Sequence, residues 1–374
     1  MKPAQARKLI GEILDWSDEV ATQEFHWLDL MATYKFDHYQ GYGPGRRFYV
    51  TLLRWLTQFE QPDRGTAYRL LRNHLVFVGQ PEMNHLVGLS GPMIQRKMRC
   101  HVAKLLGIPT YQVDEEPEAL RRLSLLQERT LYVGVSDGAR IDVFRRYNEG
   151  TINNEQVVPM AEISDTKWKS LHKKLAERLS SKGHGEAAAE FEWVCLIDDF
   201  TGSARSSLWY DEAASRWDGK IGKFVMSNVE RNIHKLAPNA CIHVHHYLAS
   251  AAAKETIEER LKGIHSKYSE LQFCSTFAYV LPESVRLQSS DDAELLSLLE
   301  RHYDKDIENT HLGNDVWMGY KQCGLPLVLE HNTPNNSIAV LWARSPNAHP
   351  SSTGSSKITM SPLFPRRQRH LDVR

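Results

Sequence analysis

The run Trp193, Val194, Cys195, Leu196 and Ile197 constrains the fold of this 374-residue chain more than any other stretch. Consecutive apolar side chains in an extended segment put hydrophobic groups on both faces, so the strand has to be covered on both sides, as in a parallel sheet flanked by helices. From Thr130 onward the same kind of run recurs between helical stretches: LYVGV at 131–135, the Trp193 run, CIHVHHYLA at 241–249, LQFCSTFAYV at 271–280 and LPLVLE at 325–330. That alternation predicts a doubly wound α/β domain of five strands, with one intervening helix over about 165–179. Residues from about 3 to 128 read as helical, because apolar positions recur at three- and four-residue intervals (Leu9, Ile10, Ile13, Leu14; then Leu52, Leu53, Leu56, Phe59) and no strand alternation interrupts them. Ser17 has the place of an N-cap, and GYGPGRR at 41–47 and VGQPEM at 78–83 are breaks. The expected division is a helical region over 1–128 and an α/β domain over 129–374.

The Trp193 run ends in two adjacent carboxylates, Asp198 and Asp199, followed at once by Thr201, Gly202, Ser203, Ala204, Arg205 and Ser206. In open α/β sheets the ligand crevice lies beyond the carboxyl ends of the strands, where paired acids hold a sugar diol or a divalent metal. A loop of small residues and hydroxyls leading into a helix, here expected over 205–215, offers backbone N–H groups to a phosphate. A second candidate follows the first strand: Ser136, Asp137, Gly138 and Ala139 form a tight turn, and Arg140, Arg145 and Arg146 carry forked donors suited to phosphate oxygens. The bland reading of that segment is a turn and a solvated helix face. The third candidate is the polar segment after LPLVL, in which His331 suits general acid or base work near neutral pH and Asn332 and Asn335 suit reading a base. Its bland reading is a turn into a strand, SIAVLWA.

Lys plus Arg and Asp plus Glu each number 46, so no global field favours nucleic acid or an anionic membrane. The five cysteines are scattered without a CxxC pair, and Cys195, Cys241 and Cys274 lie in apolar runs, which fits buried thiols in a reducing cytoplasm. No apolar stretch approaches the roughly 18–20 residues of a membrane span, and the N-terminus has no signal-peptide core; a cytoplasmic protein is expected. His243 and His245 share a strand face and would suit zinc, but no third ligand stands at suitable spacing, and a structural role is the expectation. Arg366, Arg367, Arg369 and His370 form a basic tail that reads as a solvated terminus, with direct nucleic-acid contact the sharper alternative. The stretch 345–356, rich in Ser, Asn and Pro, reads as a surface loop.

Strand, acid pair and hydroxyl loop in that order resemble the signature of type I phosphoribosyltransferases. The resemblance implies that Asp198 and Asp199 take the ribose 2′ and 3′ hydroxyls, that Thr201–Ala204 surround the 5′-phosphate, and that Ser136–Ala139 hold pyrophosphate, with Mg²⁺ as cofactor. SDGARIDVFRR, LIDDFTGSARS, EHNTPNNSIAVLW and the terminal PLFPRR together resemble phosphoribosyltransferase-like effectors of bacterial anti-phage conflict systems, some associated with retrons. That family implies a type I phosphoribosyltransferase-like parallel sheet with flanking helices, preceded by a helical N-terminal region and closed by a C-terminal hood. It also implies a ribose 5-phosphate-bearing substrate and a protein or ribonucleoprotein partner from the same cassette. The alternative to an enzyme is a nucleotide-sensing or scaffold module.

Overall fold

A computed structural model of the chain describes residues 1–41, 47–185, 188–230, 235–288, 293–309, 312–346 and 359–366. Its helices and strands are, in chain order, α1 (Pro3–Leu14), α2 (Asp18–Tyr34), α3 (Phe48–Thr57), α4 (Arg64–Arg69), β1 (Val76–Val78), α5 (Gln80–Leu106), α6 (Pro117–Glu128), β2 (Thr130–Gly134), α7 (Ile141–Tyr147), β3 (Val157–Val158), α8 (Asp165–Ser181), β4 (Phe191–Thr201), β5 (Trp209–Asp211), β6 (Arg216–Asp218), α9 (Gly219–Val225), β7 (Leu236–Ser250), α10 (Ala251–Lys267), β8 (Gln272–Leu281), α11 (Ala293–Arg301), β9 (Leu327–Leu329) and α12 (Ala339–Trp342). The chain forms two compact units, one of residues 83–281 and one of 1–82 with 282–374. The expected division at 128 differs from this grouping, in which α6 and most of α5 fall in the unit of the sheet; His101 of α5 meets Trp193 of β4, and Glu128 at the end of α6 accepts from Arg178 of α8.

The unit of residues 83–281 is built on a five-stranded, all-parallel sheet in the order β3-β2-β4-β7-β8. Alternation sorts its side chains: Leu131, Val133, Val194, Leu196, Ile242 and Val244 pack against α8, α9 and α10 in one core. On the opposite face Tyr132 meets Phe144 of α7, and Trp193 meets His101 of α5. The sheet is thus covered on both sides, as its apolar runs require. Its fifth strand is Val157–Val158, not 325–330, and two residues are too few to carry a periodic signal. In chain order the sheet reads 2-1-3-4-5, which reverses direction between β2 and β4. That switch point is where a doubly wound sheet opens its ligand crevice.

In the other unit, β9 pairs in parallel with β1 in a separate two-stranded sheet. The helical reading of 3–128 is therefore interrupted by one strand, and LPLVLE is a strand of a different sheet from the one expected. SIAVLWA is the short helix α12 rather than a strand. Ser17 does cap α2, its Oγ accepting from the Val20 N–H at 3.3 Å. Phe364 of the terminal PLFPRR is 1 % exposed in this unit's core, packed on Phe36, Phe48 and Phe77. Arg367, Arg369, His370 and most of 345–356 lie outside the described residues.

Candidate functional site at the switch point

Strand β4 runs through both acids to Thr201, since Phe200 and Thr201 still pair with Leu248 and Ala249 of β7. The expected order of strand, then acids, is therefore corrected: the acids lie within the strand, and alternation sends their side chains to opposite faces. Asp198 points to the α9 side and is 1 % exposed. One carboxylate oxygen accepts from Ser136 Oγ, and the other pairs with Lys220 Nζ at 2.5 Å. Burial pushes its pKa up to about 6 against the opposing pull of Lys220, with Asp199 next door adding to the rise. Asp199 points the other way and is only partly buried.

The Ser136–Ala139 loop closes directly onto this pair. A Cβ on Gly138 would lie 2.2 Å from Asp199 Oδ2, so only glycine lets the loop backbone approach the carboxylate. Ser136 reaches Asp198, and the Ala139 carbonyl accepts from Tyr247 Oη at 2.6 Å. The loop after β2 and the acids of β4 are thus one constellation. Arg145 and Arg146 are engaged locally, Arg145 donating to Asn154 Oδ1 at 2.5 Å and Arg146 pairing with Asp142 one turn away.

After Thr201 the chain makes a tight turn in which Ala204, not a glycine, takes the left-handed conformation (φ 58°). Among the described residues the N–H groups of Ser203, Ala204, Arg205 and Ser206 have no acceptor. Successive unpartnered N–H groups around a left-handed residue make a concavity suited to an anion. Ser250 Oγ ties the turn down by donating to the Gly202 carbonyl at 2.8 Å. The helix expected over 205–215 is absent; the β5–β6 hairpin stands there, and α9 begins only at Gly219. Gly219 (φ 84°) is needed because a Cβ would meet the Ser207 carbonyl oxygen at 2.7 Å. The first N–H groups of α9 are taken by loop carbonyls, Lys220 by Ser206 and Ile221 by Ser207, which removes the helix dipole end as a phosphate seat and delivers Lys220 to Asp198 instead.

Two site residues escaped the sequence reading. Lys220 had no local signal, since its place depends on the hairpin before it. His246 had one: alternation in IHVHHY sets it on the face opposite His243 and His245, in register with Asp198. It stacks on Phe277, its Nε2 lies 3.1 Å from Ser207 Oγ, and burial lowers its pKa to about 3. His243 and His245 belong to a buried chain with one consistent direction. Trp193 Nε1 donates to His243 Nδ1, His243 Nε2 to Thr276, Thr276 to His245 Nδ1, His245 Nε2 to Ser90, and Ser90 to the Leu86 carbonyl. Among the described residues no group of three or more His, Cys, Asp or Glu is placed to hold a metal.

His331, Asn332 and Asn335 follow β9 in the other unit, so the argument that a shared sheet edge puts them beside Asp199 no longer holds. They form a turn after β9: the Asn332 N–H donates to the Leu329 carbonyl at 3.0 Å and the Asn335 carbonyl accepts from the Tyr320 N–H at 2.7 Å.

A doubly wound parallel sheet with a glycine loop and an acid pair meeting at its switch point is the arrangement expected of a phosphoribosyltransferase-type fold. A family model matches residues 52–366, and the chain belongs to that family, PRTase-CE. No curated protein and no solved structure matched the chain. Among the described residues no helix is long and apolar enough to cross a membrane.

Proposed function

We propose that this chain binds a ribose 5-phosphate-bearing substrate, phosphoribosyl pyrophosphate or a nucleotide, at the β2–β4 switch point and carries out glycosyl transfer or N-glycosidic cleavage there. The observation that supports the reading is the closure of Gly138 onto the Asp199 carboxylate, which brings the loop after β2 against one of the two acids. Asp199 accepts hydrogen bonds from ribose hydroxyls and offsets positive charge as it builds at the anomeric carbon. The turn at 203–206 offers N–H groups to the sugar phosphate, and the 136–139 loop faces the leaving group. The bond from the anomeric carbon to the leaving group breaks with its electron pair on the leaving group, while a base or water forms the new bond. No side-chain nucleophile is required.

Magnesium fits this site in part. Asp198 is buried and held by Ser136 and Lys220, whereas Asp199 is partly exposed, so Asp199 is the carboxylate that an ion carried in on substrate phosphates would reach, the usual mode for Mg²⁺. Such an ion would neutralise pyrophosphate as it departs. His331 and Asn332 enter this reading only as residues of a segment after β9, with no role derived for them.

The biological setting we propose is a bacterial anti-phage defence cassette, retron-type ones included, with a partner from the same cassette; the support is the resemblance of the four quoted motifs. A second reading, a nucleotide sensor without turnover, is favoured by the burial of Asp198, which leaves one carboxylate for the diol. Mass spectrometry after incubation of pure protein with phosphoribosyl pyrophosphate, NAD and nucleoside triphosphates separates the two. New ribosylated or hydrolysed products support the enzyme, and unchanged ligands that still bind support the sensor.

A further inference from the structure

The sulfurs of Cys241 on β7 and Cys274 on β8 lie 3.6 Å apart, in direct contact. Register explains the approach: Cys241 stands opposite Gln272 and Cys274 opposite His243, so the two cysteines are diagonal neighbours on one face of the sheet. Because β8 is an edge strand, Cys274 is half-buried, whereas Cys241 is 3 % exposed. Cys195, opposite His243 on the other neighbouring strand, is fully buried, and Cys100 of α5 is exposed. An accessible thiol touching an inaccessible one turns a first oxidation into a disulfide, since the outer sulfur meets the oxidant and the inner one closes on it. Burial holds the Cys241 thiol well above its ordinary pKa, with Cys274 adding to the rise and Lys97 opposing it, so Cys241 is the poorer first nucleophile. Closing the bond brings the sulfurs about 1.5 Å nearer than their present contact.

We propose that Cys241 and Cys274 are an oxidation site for hydroperoxides, at which a reversible disulfide ties the edge strand β8 to β7. In the first step the Cys274 thiolate attacks the terminal oxygen of the hydroperoxide. The O–O bond breaks with its electron pair on the leaving alkoxide or hydroxide, which takes up the proton the thiol released, and Cys274 becomes a sulfenic acid. In the second step the Cys241 sulfur attacks the Cys274 sulfur; the S–O bond breaks, the departing hydroxide leaves as water with the Cys241 proton, and the S–S bond forms. Two thiols thus lose two electrons and two protons, and the hydroperoxide is reduced to an alcohol and water. A reducing thiol reverses the bond by exchange. Along the strands both cysteines precede the positions in register with Asp198, so the proposal goes beyond the reading of the switch point and does not rest on it.

The test is to expose the full chain, purified reduced, to hydrogen peroxide, then unfold it, alkylate the remaining thiols and map the peptides by mass spectrometry. Expected is the joint loss of alkylation at Cys241 and Cys274, in a linked peptide pair lighter by two hydrogens, with alkylation restored by dithiothreitol. C241S is expected to stop at the sulfenic acid, so that dimedone labels Cys274 in the variant and not in the wild type. C274S is expected to leave Cys241 fully alkylated. Full alkylation of Cys241 and Cys274 in the wild type at a peroxide dose that oxidises the exposed Cys100, a linkage of Cys274 to any other cysteine, or equal dimedone labelling of Cys274 in wild type and C241S would overturn the proposal. The wild-type map needs no variant, and C274S alters a half-buried side chain on the edge strand, so the test stays open should C241S fail to fold.

Discussion

Gly138 is the position where a single methyl group separates stability from function. In Gly138→Ala the new Cβ meets the end of the Asp199 side chain rather than backbone, so the carboxylate moves and the fold does not. We expect a loss of stability within about 1 kcal/mol and at least a hundredfold loss of substrate turnover or binding, checked by urea denaturation beside calorimetry. The two acids should also part company. Asp199→Asn is expected to remove ligand binding with the smaller loss of stability, since its side chain is only partly buried. Asp198→Asn, which strips a buried partner from Lys220 and Ser136, should in addition cost on the order of 1–3 kcal/mol. Equal melting curves for the two variants would contradict their assignment to opposite faces. Both acids were legible in the sequence because adjacent carboxylates after an apolar run are conspicuous; their different burial was not, since it depends on Lys220 arriving from a hairpin many residues later.

At the scale of elements, β7 carries a pH dependence. Burial lowers the pKa of His243 and His246 to about 3 and that of His245 well below its ordinary 6.5. The unfolded chain takes up protons near pH 6.5 that these folded histidines refuse, so their contribution is complete above that pH and is lost as the pH falls from about 6.5 toward 3. Each histidine adds up to about 1.4 kcal/mol per pH unit within that window. Urea midpoints at pH 7.5 and 5.5 should differ clearly, and His243→Asn should shrink the difference; equal midpoints in the wild type would show that these side chains are not buried neutral. The strands themselves were read well where runs were long, as in β2, β4, β7 and β8. LPLVLE was assigned to the wrong sheet, because an apolar run records that a strand is buried and not which neighbours bury it. The missing helix at 205–215 has a similar cause: Trp209–Asp211 and Arg216–Asp218 form a hairpin whose pairing overrides local helical signals.

For the whole molecule, the family match over 52–366 spans both compact units, while the site described lies within residues 83–281. The parallel α/β core was legible because its alternation of strand and helix is a local property repeated along the chain. The grouping of 1–82 with 282–374 was not, because it joins segments far apart in sequence, as the β1–β9 pairing shows. The central claim is that the β2 loop and the β4 acids form one sugar-phosphate site. Titrating phosphoribosyl pyrophosphate with Mg²⁺ into the wild type and Gly138→Ala tests it most directly. Saturable binding by the wild type that weakens at least a hundredfold in a variant destabilised by no more than about 1 kcal/mol is the predicted result; equal affinity in the two proteins would contradict it.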